Sequence, residues 1–437
     1  MPSFIKTIRQ VPRDLLKYPV ELLLSVTFYV ISIMAIEDSS LIRDFDVEGV
    51  MFSFPPLFVL TFMLNKYGLR IPYYLSYFLW IPLLIWFDDP GTELIIAYFL
   101  AALLLFVGKG KMDNTGFARN TFHVLKNFAL AVVIGIVMVC LIYAILMSVK
   151  YLFVGGQGDG FERWTGYLSL FVVFVIVPML SSVFVGERPV DEKPAGFYNT
   201  LLNYLLTPGL IIYSVILIAY ALRVLFRWDL PVGGVAYMVL TYIGIAVACY
   251  LMGHLLEKQP FKWFYRWFPA ISAPAVILLW AGSVRRIADY GFTEERVYLL
   301  VLVVLVTAFS VMMCFGKTRD FRFMTVILGV AAALFTYVPG ISAEDIGIKS
   351  QQKRLEKLLP AVLEDGKFPN PDYQAIAADP AQAKIWADAA DSYEYLRRGM
   401  DSTSFHTRYD VYGKMLFQQY KLEYAKQGRG DPDEIFE

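Results

Sequence analysis

The stretch SVRRIADYGFTEERVYLL, residues 283–300, places a charged turn between two long apolar runs. The run before the turn, 268–284, and the run after it, 297–315, contain no charged residue. Two such runs joined by a short charged turn are typical of two membrane-spanning helices that meet at the membrane surface. The stretch therefore predicts an all-α, polytopic membrane protein.

Residue spacing within the turn predicts a helix end followed by a helix start. Asp289 lies four residues after Arg285, where the two side chains can pair on one helix face. Gly291 suits the left-handed conformation that follows many helices, and Thr293 can cap the next helix. A capped turn with an ion pair is one interpretation, and an anionic ligand or lipid head group held by the arginines is the other. The candidate residues for this site are Arg285, Arg286, Asp289, Tyr290, Thr293 and Arg296.

Composition supports a membrane location for the whole chain. Of 437 residues, 57% are hydrophobic and only 18% are charged, which is too apolar for an ordinary globular enzyme. The formal net charge is zero, so we expect no nucleic acid partner. The three cysteines and three histidines are dispersed without metal-ligand spacing, so we expect neither a metal site nor a cofactor.

Eleven apolar segments have nearly the length that a bilayer core requires. A basic amphipathic segment, 1–17, precedes them and suits the cytoplasmic membrane face. Lysine and arginine are concentrated in alternate loops, which predicts the N-terminus inside and, after an odd number of spans, the C-terminus outside. We expect a transmembrane bundle over 18–340, with spans at 18–36, 49–65, 71–87, 94–108, 128–152, 166–185, 203–222, 234–253, 268–284, 297–315 and 323–339.

Residues 341–437 are polar and are expected to form a small extracytoplasmic helical tail. Patterning predicts helices over 350–364, 380–398 and 409–427. Ser350, Gln351 and Arg354 follow the last span closely, on the same predicted side as the 283–300 turn. We therefore expect these three residues to contact the turn and to tie the tail to the bundle.

Four stretches resemble the bacterial membrane protein family known as domain of unknown function 4153. They are FYNTLLNYLLTPGLIIYSVILIAY at 197–220, LPVGG at 230–234, RIADYGFTEERVY at 286–298 and SQQKRLEKLL at 350–359. Tyr290, Gly291, Thr293 and Arg296 form the most specific part, whereas Gly209 and Val297 depart from the pattern. The resemblance spans roughly 165–360 and implies a polytopic bacterial protein with an extracytoplasmic tail. It implies no catalytic residues.

Three functions are compatible with the sequence. We favour a non-catalytic envelope scaffold or sensor in the bacterial cytoplasmic (inner) membrane, whose partners are the lipid bilayer and another envelope protein or an anionic lipid. A secondary transporter or channel is the alternative, because several spans contain prolines that can free backbone carbonyls. A lipid-linked glycosyltransferase-like enzyme is the third, since such enzymes use outer acidic loops. The acids concerned are Asp44, Asp46, Asp88 and Asp89.

Overall fold

The structure, a computed structural model, is helical wherever regular structure is described. It describes residues 17–37, 47–82, 91–109, 112–153, 160–186, 199, 201–227, 235–256, 260–314, 320–362 and 379–409. Two π-helical segments, Val172–Ile176 and Leu201–Leu206, and one 3-10 turn, Tyr77–Leu79, interrupt the α-helices. The α-helices are α1 Pro19–Ile36, α2 Val47–Tyr67, α3 Arg70–Ser76, α4 Thr92–Val107, α5 Asn114–Phe153, α6 Gly160–Phe171, α7 Val177–Gly186, α8 Thr207–Arg227, α9 Val235–Gly253, α10 Lys262–Tyr290, α11 Glu294–Cys314, α12 Phe321–Tyr337, α13 Ala343–Val362, α14 Pro380–Gly399 and α15 Ser402–Arg408.

Eight helical stretches within the described ranges are long and apolar enough to cross a membrane. Each overlaps one of the predicted spans, and the shorter apolar helices α4 and α12 overlap two more. The all-helical membrane character is therefore confirmed, while the count of eleven and the orientation of the termini remain predictions. The eight are Pro19–Ile36, Gly49–Tyr67, Asn114–Tyr143, Arg163–Gly186, Leu201–Phe226, Ala236–Gly253, Lys262–Tyr290 and Glu294–Cys314.

The predicted span 71–87 is helical over its described part, with one 3-10 turn inside it. Helix α3 has seven residues and passes directly into the 3-10 turn Tyr77–Leu79, and residues 80–82 are α-helical again. The Ser76 hydroxyl donates to the Tyr73 carbonyl at 2.7 Å and lies 3.0 Å from the Thr61 hydroxyl. A serine that bonds the backbone three residues earlier competes with the regular α-helical pattern. Residues 83–87 lie outside the described part of the chain.

Both π-helical segments end just before a proline. Val172–Ile176 precedes Pro178, and Leu201–Leu206 precedes Pro208. Proline has no backbone N–H to donate to the carbonyl four residues earlier, so a regular helix would leave that carbonyl unpaired. A wider turn changes which donors meet which carbonyls, and local π adjustments of this kind re-pair the backbone inside a membrane.

The chain divides into two compact units. The first comprises residues 1–199, 250–259 and 320–329, and the second comprises 200–249, 260–319 and 330–437. In the first unit, α1, α2 and the π segment pack through a buried aromatic cluster that includes Phe28, Phe54 and Phe174. In the second unit, hydroxyl pairs join the helices, with Ser214 and Tyr242 2.6 Å apart and Thr207 and Tyr265 2.7 Å apart.

Glu21 is a fully buried carboxylate in α1. Its two oxygens accept hydrogen bonds from the Tyr73 hydroxyl, at 2.6 Å, and from the Asn65 amide, at 3.1 Å. The Tyr73 hydroxyl oxygen in turn accepts from the backbone N–H of Val20 at 3.1 Å. These bonds link α1 to α2 and α3, and they leave each carboxyl oxygen with a donor, as burial of such a group requires.

The second unit also contains the polar helices α13, α14 and α15. We call residues 343–362 and 379–409, which contain these three helices, the polar region. They share a core formed by Leu355, Val362, Trp386, Ala389, Ala390, Tyr393, Leu396, Phe405 and Tyr409. The predicted helix 380–398 is confirmed, whereas the predicted third helix, 409–427, lies almost wholly outside the described residues.

Helix α13 begins seven residues earlier than the hydrophobic pattern predicted. The reason is a capping box, because the Ser342 hydroxyl accepts from the Asp345 backbone N–H at 3.1 Å and donates to the Asp345 carboxylate at 2.9 Å. The same carboxylate accepts from the Gly340 backbone N–H, and that bond lowers the pKa of Asp345. Gly340 has a φ of 88°, which lets the chain turn sharply between α12 and α13.

Replacing the buried carboxylate should loosen the first unit. Glu21→Ala removes the acceptor of the Tyr73 hydroxyl and of the Asn65 amide, which should cost about 1–3 kcal/mol of the free energy of unfolding. The measurement is unfolding of the purified protein by titration with sodium dodecyl sulfate. Leu23→Ala is the matched control, because Leu23 lies on the same helix and is 50% exposed. Equal stability of the two variants would contradict a structural role for Glu21.

Candidate functional site

The strongest candidate site surrounds the turn between α10 and α11, residues Gly291 to Thr293. Helix α10 ends at Tyr290, and Gly291 has a φ of 75° while its N–H donates to the Ile287 carbonyl at 2.8 Å. Helix α11 starts at Glu294, and the Thr293 carbonyl accepts its first helical bond, from Val297. The helix end, the positive-φ glycine and the helix start therefore lie where the sequence predicted them.

The side chain of Gln351 binds the backbone of this turn. Its side-chain amide nitrogen donates to the carbonyls of Tyr290, at 3.0 Å, and Phe292, at 2.8 Å. Its carbonyl oxygen accepts from the Ser392 hydroxyl of α14 at 2.9 Å, and the neighbouring Ser350 hydroxyl accepts from the Phe292 N–H at 2.9 Å. Gln351 is only 2% exposed. One buried amide thus connects the turn, α13 and α14.

Arg354 forms the outer part of the same contact. Its guanidinium pairs with Asp388 of α14 at 2.8 Å, with both side chains at most 20% exposed. The group also lies 5.8 Å from the centre of the Tyr290 ring and donates to the Asp289 carbonyl at 3.4 Å. A partly buried arginine held by a carboxylate, a ring and a carbonyl is positioned by several directed contacts.

Arg296 acts on the turn from the other side. Its guanidinium donates to the carbonyls of Tyr290 and Gly291, at 3.3 and 3.0 Å, and lies 5.3 Å from the Tyr290 ring centre. Carbonyls at the end of a helix lack intrahelical partners, so a cation there is favourable. Arg296 therefore completes the end of α10, a role that the sequence analysis did not assign to it.

Tyr395 provides a fourth contact with the turn. Its hydroxyl oxygen accepts from the backbone N–H of Glu294, the first residue of α11, at 3.0 Å. Burial raises the pKa of the Tyr395 phenol, so the group stays protonated at neutral pH. Gly347 leaves the space for this ring, because a Cβ at that position would overlap the Tyr395 hydroxyl.

The remaining residues of the predicted turn site are at its periphery. Arg285 and Asp289 form an exposed ion pair at 3.7 Å, with 55% and 52% of the two side chains exposed. Exposed pairs of this kind contribute little to stability. Arg286 is half-buried on the same helix. Of the cations in the two predicted groups, Arg296 and Arg354 are bound within the protein, whereas Arg285 and Arg286 are at the surface.

Two further predictions concern the outer acidic residues and a metal site. Asp44, Asp46, Asp88 and Asp89 lie outside the described residues, so the acidic-loop hypothesis stays a prediction. Within the described residues, no three His, Cys, Asp or Glu side chains come together as a metal-ligand set.

Several residues of the site carry no recognisable sequence signal. Gly347 lies on α13, and Asp388, Ser392 and Tyr395 lie on α14. Tyr395 is 101 residues from its partner Glu294, while Asp388 and Ser392 contact Arg354 and Gln351 of α13. The four-residue spacing of Asp388 and Ser392 places them on one face of α14. That spacing could have indicated a polar stripe on the helix, but it could not have indicated what the stripe contacts.

A second candidate site, in the first unit, is a cavity of about 660 Å³ between α2, α4, α5 and the stretch from α6 to α7. Its volume lies within the range of small-molecule sites, roughly 300–1,000 Å³. None of the described residues that line it is charged. The lining comprises Met51, Phe52, Phe54, Pro55, Phe58, Val59, Phe62, Tyr98, Leu105, Val124, Phe128, Leu170, Val173, Phe174, Val177, Pro178, Ser181, Ser182 and Val185.

Loss of the Gln351 amide should release the polar region. Gln351→Ala leaves the carbonyls of Tyr290 and Phe292 without this donor, a cost of about 1–3 kcal/mol, so local opening should become roughly tenfold more frequent. The measurement is the rate of trypsin cleavage after Lys353 and Lys357 in α13. Gln352→Ala is the matched control, because the amide of this neighbouring residue donates to the Met400 sulfur, at 3.4 Å. Equal cleavage rates of the two variants would contradict the proposed contact between the Gln351 amide and the turn.

A methyl group at position 347 should displace Tyr395. Gly347→Ala should lower the free energy of unfolding by about 1–3 kcal/mol, because the added Cβ overlaps the hydroxyl of the partly buried Tyr395, which is held by the Glu294 N–H. Gly399→Ala is the control, since its Cβ would meet Ile348 at an ordinary 3.6 Å. Positions 347 and 395 are in contact. Tyr395→Phe should therefore lower the free energy of unfolding less in the Gly347→Ala background than it does alone. Strict additivity in denaturant titrations would rule out the overlap.

Comparisons with known proteins place the chain in one family. The family described as Domain of unknown function (DUF4153) matches residues 23–357. An uncharacterized protein of Pasteurella multocida (strain Pm70) is 28% identical over 363 residues, which cover 79% of this chain and 60% of the relative. The chain thus spans about 60% of the length of that bacterial relative, and no solved structure shows significant similarity. Since the matched residues make up more than half of the sequence, the chain belongs to the DUF4153 family.

Proposed function

We propose that the protein is a non-catalytic scaffold or sensor of the bacterial cell envelope that works through its polar region and the loops on the same side. The observation that supports this most strongly is the buried Gln351 amide, which fixes α13 to the turn between two membrane-spanning helices. In our proposal the polar region lies outside the cytoplasmic membrane. The excess of lysine and arginine in the alternate loops supports that orientation.

The polar region is attached to the spans at two points. Covalently, only residues 338–342 separate α12 from α13, and the Asp345 bonds brace that connection. Non-covalently, Gln351, Arg354 and Tyr395 bind the turn and the first residue of α11. Two attachment points hold the region in one orientation relative to α10 and α11. A rigidly held polar surface suits a scaffold, and a force or ligand acting on that surface would be passed to the spans, as a sensor requires.

The contacts at the turn support a structural role for Arg296 of α11 and Arg354 of α13. Arg296 and Arg354 are bound to carbonyls, a carboxylate and an aromatic ring of the protein itself. The partner of this surface would therefore meet the exposed Arg285, the half-buried Arg286 and the exposed faces of α13 and α14. A second envelope protein or an anionic lipid has the required chemistry.

A transporter is the second candidate because of the cavity in the first unit. A bundle with a 660 Å³ cavity has space for a cargo. The lining carries hydroxyl groups but no charge, so an ion or a sugar would lack the ligands it needs there. Only an apolar cargo fits this alternative.

Photocrosslinking in living bacteria would test the scaffold proposal. We would place p-benzoylphenylalanine at Lys353 of α13 or Lys384 of α14, both exposed, and at the exposed Leu23 of α1 as control. The proposal expects one discrete protein adduct from the polar region, which weakens when Gln351→Ala is added. Adducts identical to those from Leu23, or none from any exposed position of the polar region, would contradict it.

A further inference from the structure

The cavity of the first unit has the form of a site for one hydrocarbon chain. Its floor is aromatic and buried, since Phe54, Phe58 and Phe62 are each at most 6% exposed. At its rim, Phe128 and Val173 are about half exposed. The lining therefore extends from the interior of the unit to the side surface of helices that are long and apolar enough to cross a membrane. A lipid in the surrounding bilayer can reach the cavity from that side.

One polar atom of the lining has no partner. Ser181 donates to the Val177 carbonyl at 2.8 Å, and Tyr98 donates to the Phe52 carbonyl at 2.7 Å. The Ser182 hydroxyl, on a residue only 2% exposed, has no hydrogen-bond partner among the residues that the structure describes. A buried hydroxyl without a partner is costly, so rotation of the Ser182 side chain towards the cavity would be favoured by a ligand that offers an acceptor oxygen.

The position of Ser182 indicates which part of a lipid would meet it. Ser182 lies four residues before the end of α7, or about 6 Å along the axis, and the aromatic side chains of Phe54, Phe58 and Phe62 line the same cavity. In a bilayer, ester groups lie near the ends of membrane-spanning helices and acyl chains lie towards their middle. A chain in the cavity would place its ester oxygen near the Ser182 hydroxyl.

Positive charge is found beside the Phe62 end of the cavity. The Lys66 ammonium lies 5.8 Å from the centre of the Phe62 ring. The Lys109 ammonium donates to the Lys66 carbonyl at 3.1 Å, which places a second cation at the same end of α2. Juxtamembrane lysines attract anionic phospholipids. The charge beside the cavity and the hydroxyl and apolar volume within it match the three chemical parts of a phospholipid, its phosphate, ester and chain.

The helix geometry explains why a cavity forms here. Pro55 interrupts the bonding of α2, and the π segment Val172–Ile176 precedes Pro178 on the opposite wall. A π turn displaces side chains from regular helical positions, and such turns are frequent at functional sites. Both walls are therefore irregular at the same place, and regular ridge-into-groove packing cannot close the gap.

We propose that this cavity binds one acyl chain of an anionic phospholipid, with the Ser182 hydroxyl donating to an ester oxygen and Lys66 facing the phosphate. The site is independent of the scaffold role of the polar region. Its loss would leave the contacts of Gln351 unchanged, so the two proposals can fail separately.

The test uses the full chain in phosphatidylcholine vesicles that contain a trace of phosphatidylglycerol with a diazirine in one acyl chain. We expect crosslinks within 51–62 and 170–185, and weaker crosslinking by a phosphatidylcholine probe with the same chain. Lys66→Gln should weaken labelling by the phosphatidylglycerol probe about fivefold. Val59→Phe and Val173→Trp, which fill the cavity from two sides, should remove most of the labelling by this probe. Val133→Trp is the matched control, because Val133 is 55% exposed on α5 and does not line the cavity.

Three results would overturn the proposal. Crosslinks spread evenly over the exposed apolar helices would exclude a specific site. Equal labelling by the two probes would exclude recognition of an anionic head group. Labelling that survives both filling variants, in protein that elutes as a single species, would place the lipid elsewhere.

Discussion

A membrane protein must pair the backbone carbonyls at every helix end that it buries, and the end of α10 meets this requirement with residues distant in sequence. The carbonyls of Tyr290 and Phe292 accept from the Gln351 amide, and those of Tyr290 and Gly291 accept from Arg296. Without these donors the turn would carry unpaired acceptors next to a packed helix. Because Gln351 belongs to α13, completing the helix end also positions the polar region. The bonds that complete the end of α10 therefore also hold the polar region against the turn.

The same requirement explains the irregular helices inside the first unit. Proline at position 178 removes one donor, and the chain responds with a π turn in place of an unpaired carbonyl. The displaced side chains no longer match the facing helix, and a cavity results. Backbone pairing therefore accounts both for a rigid contact in one unit and for a space in the other. We connect the first with a scaffold or sensor role and the second with a lipid.

Much of the membrane architecture could be predicted from the sequence because apolar length is a local property. The turn was equally accessible, since Gly291 and the charges around it indicate a helix end within a few residues. The segment 71–87 was harder, because Ser76 bonds the Tyr73 carbonyl and the chain tightens there despite its apolar composition. The start of α13 was missed because the capping box of Ser342 and Asp345 is polar and leaves no hydrophobic period.

The candidate site was predictable only in part, because some of its contacts depend on how two distant helices pack together. Gln351 and Arg354 were identified by their position after the last span, and the structure places them against the turn. Their partners on α14, Asp388 and Ser392, follow from tertiary packing of two polar helices. A sequence without an alignment carries no record of which helix faces which. The cavity was likewise hidden, since its lining residues are ordinary members of apolar spans.

Amide hydrogen exchange at the turn would test the central claim most directly. Phe292 donates its N–H to the Ser350 hydroxyl, and Glu294 donates its N–H to the Tyr395 hydroxyl. For the full chain in lipid nanodiscs, the account predicts that both amides exchange slowly, at the rate set by opening of the polar region. Exchange of both amides as fast as in an unprotected loop would contradict it, because the turn would then be free of α13 and α14.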